Sequence, residues 1–173
     1  MAEVVLANHV PVDRRVLLVG HSAGCQVVVH AARRRPDAVA GLVLVGPTTD
    51  PRAASWPALA GRWLATARHE PPGQVPTLVR QYARTGPATM AQTMAAARRD
   101  DVRLPLGCVR CPVLVVRGPH DRICPVDWAS GLASTAGHLA RSVTLEAGSH
   151  MVPLTHGPRL AEVLEEFAST LAG

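Results

Sequence analysis

Three residues of this chain have types and placements suited to nucleophilic catalysis: Ser22, Asp121 and His150. Ser22 lies in Gly20-His21-Ser22-Ala23-Gly24, a G-x-S-x-G pattern that follows the apolar run Val16-Leu17-Leu18-Val19. A serine hydroxyl attacks a carbonyl carbon only when a base takes its proton and hydrogen-bond donors stabilise the oxyanion. The order strand, sharp turn, helix supplies part of this. It puts the serine at the tip of the turn and aims the next backbone N–H, that of Ala23, from a helix N-terminus toward the oxyanion. Gly20 and Gly24 are expected to keep side chains out of the turn.

The base and its orienting acid are sought at the carboxyl ends of strands, where open α/β sheets gather their ligands. Of the eight histidines, His150 follows the strand-like "RSVTLE" in "LEAGSHMVP". His21 belongs to the turn itself, and its side chain is expected to point away from Ser22. Asp121 follows "PVLVVR" in "PVLVVRGPHDRICP"; Asp50, after "LVLVGPTT", is the second candidate for the acid. The carboxylate would hold the imidazole tautomer and stabilise the imidazolium, which gives the chain order Ser22, Asp121, His150.

The surrounding pattern predicts the elements that position these residues. Continuous apolar runs at Val16–Val19, Ala40–Val45 and Cys111–Arg117 read as strands covered on both faces, and Arg141–Glu146 as a fourth, more polar one. Helices are expected at Cys25–Arg35, at Pro125–His138, where Asp127 is an N-terminal residue, and at Gly157–Ala172, with Leu160, Val163, Leu164 and Phe167 facing inward. Pro11–Arg15 reads as an opening turn. Strands alternating with helices predict an α/β fold with a mostly parallel sheet of about four strands. The long segment 47–105 predicts helices at Trp56–Arg68, Val75–Thr85 and Thr89–Arg99, a helical insertion over a core made of 1–46 and 106–173.

Composition limits the alternatives. The formal charge is +5, and all 18 basic residues are arginine, scattered and without interleaved aromatics. They read as solvated helix faces, not as a nucleic-acid surface. No apolar run is long enough to cross a bilayer, and the opening "MAEVVLANHVPVDRR" lacks the features of a signal peptide, so a cytoplasmic location is expected. Cys108, Cys111, His120 and Cys124 have zinc-like residue types. A strand between Cys111 and His120 would hold those two roughly 20 Å apart, however, so no metal or other cofactor is expected. The cysteines are read as reduced and structural, with Cys25 a small core residue.

The segments "VLLVGHSAG", "LVLVGP", "PVLVVRGPHDRICP" and "EAGSHMV…GPRLAEVLEEF" together resemble the α/β-hydrolase superfamily, from about Arg15 to the C-terminus. The resemblance implies a triad of Ser22, Asp121 and His150, an oxyanion donor at Ala23, a helical cap at 47–105 and a small acyl substrate. A serine at the turn argues against the branches that use aspartate there. In the family the turn follows the fifth strand, and a second oxyanion donor comes from a loop after the third. Here Val16–Val19 would be that fifth strand, Met1–Asn8 the tail of the helix before it, and the chain the C-terminal portion of a partial α/β-hydrolase fold. Val16–Val19 would then be an apolar sheet edge open to self-association or to a partner chain. Two functions follow: a serine esterase working through an acyl-enzyme, or an impaired remnant or interaction module that keeps the motif without the full oxyanion hole.

Overall fold

The computed structural model describes residues 1–10 and 13–171. Pro11 and Val12 of the expected opening turn, and Ala172 of the expected last helix, lie outside them. A four-stranded, all-parallel sheet runs β1 (Val16–His21), β2 (Val39–Val45), β3 (Val113–Arg117), β4 (Ala140–Thr144), with spatial order the same as chain order. Helix α1 (Ala2–His9) precedes β1, and α2 (Gly24–Arg34) links β1 to β2. Between β2 and β3 come α3 (Trp56–Ala67), α4 (Val75–Thr85), α5 (Pro87–Arg99) and the short α6 (Arg103–Leu106). Then α7 (Val126–Ala136) links β3 to β4, and α8 (Val152–Thr155) and α9 (Gly157–Ser169) close the chain.

The near-continuous apolar strands have the expected cause. Side chains alternate across the sheet, and both faces are covered at β2 and β3, whereas Val16–Val19 of β1, expected to be covered on both faces, is only part-buried because no strand among the described residues flanks it on its outer side. Leu42 and Leu44 of β2, with Val113 and Val115 of β3, pack against α2, α6 and α7 through Val29, Leu106 and Leu132. Their neighbours Val43, Val45, Leu114 and Val116 pack on the other face against Val152 and against Leu160, Val163 and Phe167 of α9. Leu164 joins that layer half-buried. Cys25 is fully buried in the α2 layer, as expected of a small core residue.

Boundaries moved where packing outweighed local pattern. β1 runs past Val19 to include Gly20 and His21, which pair with Leu44 and Val45. Gly20 stays in the strand because α2 presses on it: a Cβ there would lie 2.7 Å from the Cys25 backbone. Gly24, by contrast, has nothing within 4 Å of a Cβ, so the turn requires the first glycine sterically and not the second. β4 ends at Thr144, before the expected Glu146. Helices α6 and α8, four residues each, are too short to show a helical period. Strand β1 lies at the end of the sheet, with Val19 47% exposed. Among the described residues no helix is long and apolar enough to cross a membrane.

Candidate active site

The loops leaving β1, β3 and β4 bring Ser22, Asp121 and His150 together. Ser22 Oγ lies 3.0 Å from His150 Nε2, and His150 Nδ1 lies 2.9 Å from Asp121 Oδ2. The hydrogens follow from donor and acceptor capacity. An ionised carboxylate only accepts, so Nδ1 carries the imidazole proton. Nε2 is then the acceptor, and the Ser22 hydroxyl donates to it. His150 and Asp121 are buried, with Asp121 fully so.

Each member is held by its own element. Ser22 has φ +53°, a left-handed conformation that disfavours L side chains, so the turn is strained at the serine. Its N–H donates to Val45 O at 2.9 Å, which ties the turn to the end of β2. Ala23, the expected oxyanion donor, is the N-cap residue of α2. Asp121 Oδ1 accepts the N–H groups of Ile123 and Cys124, each at 2.9 Å, leaving Oδ2 for His150. Arg117, at the end of β3, is 5% exposed and donates to the carbonyls of Cys124 and Asp121 at 2.7 and 2.9 Å. Its guanidinium staples the acid loop from beneath.

His150 has supports that sequence patterns did not single out. The His21 ring donates from Nε2 to the His150 carbonyl at 3.0 Å and so anchors the histidine loop. Burial, and then the proximity of His150, hold the His21 pKa below its ordinary value. Glu70, just after α3, accepts the Met151 N–H at 2.9 Å, and the Trp63 ring lies 6.3 Å from that of His150. Gly46, at φ +53°, passes beneath the histidine and acid: a Cβ there would stand 3.0 Å from His150 Nδ1 and 3.1 Å from Asp121 Oδ2.

Asp50, the second candidate for the acid, has other partners. Its carboxylate accepts from Arg52 Nη2 and Arg62 Nη1, each at 2.7 Å, and Arg52 reaches on to Asp127 of α7. Burial raises the Asp50 pKa, but hydrogen bonds from Arg52 and Arg62 outweigh it and hold the carboxyl below its ordinary value. The network pins the start of the inserted helices to the core. A depressed folded-state pKa gives stability that is present above the unfolded value, near 3.9, and lost as pH falls through the folded one. Asp50→Asn is therefore expected to reduce stability by about 1–2 kcal/mol at neutral pH, discounted because Arg52 is well exposed. The gap from wild type should begin to narrow below about pH 4 and close as pH falls through the depressed folded-state value. Urea midpoints measured against pH check this; a gap independent of pH would refute it.

A cavity of about 250 Å³ opens onto Ser22, Ala23 and His150, lined on the far side by Trp63, Tyr82 and Met94 of the inserted helices. Burial raises the pKa of Cys25, Cys111 and Cys124, which disfavours the thiolate at these three positions.

Comparison with known proteins agrees with this architecture. The pimeloyl-[acyl-carrier protein] methyl ester esterase of Methylococcus capsulatus is 29% identical over 187 residues, an alignment covering 92% of this chain and 72% of that protein. The protein of the same name from Xanthomonas campestris pv. campestris is 24% identical over 179 residues, covering 88% of this chain and 70% of that one. In fold, the chain is similar to a hydrolase from Oleispira antarctica, with a TM-score of 0.76 at 16% identity over 96% of this chain and 68% of that one. The family model described as "Alpha/beta hydrolase family" matches residues 2–163, a span that contains the whole sheet and all three residues of the hydrogen-bonded line. The chain belongs to the alpha/beta hydrolase family.

Proposed function

We propose that the chain hydrolyses a small carboxylic ester through an acyl-enzyme, with Ser22 as nucleophile, His150 as general base and acid, and Asp121 as its orienting carboxylate. The observation that carries this reading is the continuous line Ser22 Oγ–His150–Asp121 at 3.0 and 2.9 Å, across the ends of three strands. Ser22 Oγ forms a bond to the acyl carbon while its proton passes to His150 Nε2. The Ala23 N–H, at the positive end of α2, stabilises the oxyanion. As the C–O bond breaks, His150 returns the proton to the departing alcohol. Water then repeats the sequence against the acyl-enzyme and frees the acid. The segment 47–105 acts as a cap whose helices line the cavity over Ser22. The methyl ester esterases among its relatives support ester chemistry for this chain.

A fluorophosphonate probe tests the reading directly. Wild type is expected to take up one phosphonyl group at Ser22, located by mass spectrometry, and to hydrolyse p-nitrophenyl acetate; Ser22→Ala should do neither. A folded wild type that stays unlabelled would refute the esterase reading and favour the interaction module.

A further inference from the structure

The last turn of α3 meets both loops that carry the acid and the histidine. Thr66 lies there and, with Leu59, is one of the two buried residues of that helix. Its hydroxyl donates to Arg62 O at 2.8 Å, the i−4 bond open to a helical threonine. With its proton committed, Oγ1 can only accept, and it accepts the Arg122 N–H at 3.0 Å. Arg122 is the residue after Asp121. The other loop arrives at the backbone of the same threonine. Ser149, buried and directly before His150, places its Oγ 3.4 Å from Thr66 O and 3.2 Å from His120 O, the carbonyl directly before Asp121. Its one proton serves those two acceptors.

These contacts differ in kind from the others around the site. Arg117 and the amides of Ile123 and Cys124 hold the acid within its own loop. The His120 N–H, which donates to Gly148 O at 3.3 Å, joins the acid loop to the histidine loop. Neither set reaches the helix that faces the substrate. Trp63 of α3 lines the cavity over Ser22, and Thr66 follows it by three residues, a neighbouring position on one helix face. Thr66 thus connects the cavity wall to the residues beside Asp121 and His150.

We propose that Thr66 is a positioning residue for the line Ser22–His150–Asp121: it holds the acid loop and the histidine loop in register with each other and with the helix that walls the cavity. The proposal rests on the esterase reading above. Loss of the hydroxyl leaves the Arg122 N–H without its acceptor and frees the acid loop to shift against α3. Asp121 carries the His150 ring with it through their 2.9 Å bond, and Nε2 leaves the line of the Ser22 hydroxyl. The effect falls on attack and not on binding, because the substitution leaves Trp63 and the cavity wall in place.

Thr66→Val keeps the shape of the side chain and removes the acceptor; Thr66→Ser keeps both hydrogen bonds and loses a methyl. With p-nitrophenyl acetate, Thr66→Val is expected to lose about tenfold in kcat with KM within about twofold of wild type, and the fluorophosphonate labelling rate should fall in parallel. Thr66→Ser is expected to stay within about twofold of wild type in both, and Ser149→Ala, which removes the other tie without altering α3, to lower kcat roughly threefold. A Thr66→Val enzyme with wild-type kcat and labelling rate overturns the proposal, even if its thermal midpoint falls. So does a Thr66→Ser enzyme as slow as Thr66→Val, since the hydroxyl would then not be the cause. Should Thr66→Val fail to fold, Thr66→Ser and Ser149→Ala decide: wild-type kcat in the first with a loss in the second supports the tie, and wild-type kcat in both refutes it. A wild type that neither hydrolyses the ester nor takes the label overturns the esterase reading and this proposal with it, whereas an active wild type indifferent to Thr66→Val overturns the proposal alone.

Discussion

Asp121→Asn is expected to keep the fold and lower kcat on p-nitrophenyl acetate by about 10⁴. Asparagine is nearly isosteric, and its Oδ1 can still accept the N–H groups of Ile123 and Cys124 that hold the acid loop. Its Nδ2 would then face His150 Nδ1, where Asp121 Oδ2 now accepts at 2.9 Å. Two donors cannot share that contact. The imidazole moves its proton to Nε2, and Nε2 loses the lone pair that accepts from Ser22. The variant also lacks the charge that stabilises the imidazolium. Circular dichroism and the thermal midpoint should stay close to wild type, and fluorophosphonate labelling should slow in parallel with kcat. A variant retaining a tenth of wild-type activity would remove Asp121 from the proposed mechanism.

What was legible in the sequence followed strand ends. Apolar runs such as "LVLV" and "VLVV" betray buried parallel strands, and residues just beyond them fall at one edge of the sheet, so Ser22, Asp121 and His150 stood out together. The sequence favours Asp121 over Asp50, although both follow buried strands; what it does not show is that Asp50 has other partners. Asp50 is occupied by Arg52 and Arg62, whose approach depends on how α3 packs. The supports were not legible for a similar reason. Glu70 meets Met151 across 81 residues of sequence, and His21 meets the His150 carbonyl across 129. No local period encodes such contacts. Arg117 left a trace, as a charge ending an apolar strand, but its guanidinium serves carbonyls that only the folded loop presents. The glycines show the limit most clearly. Gly20 and Gly24 look equivalent in the motif, yet only Gly20 meets a steric demand. Gly46 ends the apolar run in the segment "LVLVGP" with nothing in that pattern to mark its role, yet a Cβ there would stand 3.0 Å from His150 Nδ1.

That contrast yields the second large effect. Gly46→Ala is expected to lower kcat by about 10–10²-fold with little change in KM, and to reduce stability by about 1–3 kcal/mol. The left-handed φ of +53° alone disfavours an L residue. The new methyl would also stand 3.0 Å from His150 Nδ1 and 3.2 Å from Cε1. His150 has little freedom to yield, because His21 holds its carbonyl and Trp63 stands beside its ring. The displacement therefore falls on the contacts to Asp121 and Ser22, and Nε2 moves off the line of the attacking hydroxyl. Substrate binding to the cavity wall is untouched, so the loss belongs in kcat and in the labelling rate together. Gly24→Ala is the matched control: a Cβ there meets nothing within 4 Å, and alanine suits the first turn of α2, so activity should hold and stability should stay level or rise. Equal damage from both substitutions would mean that the turn, not the approach of Gly46 to the histidine, governs the geometry of the site.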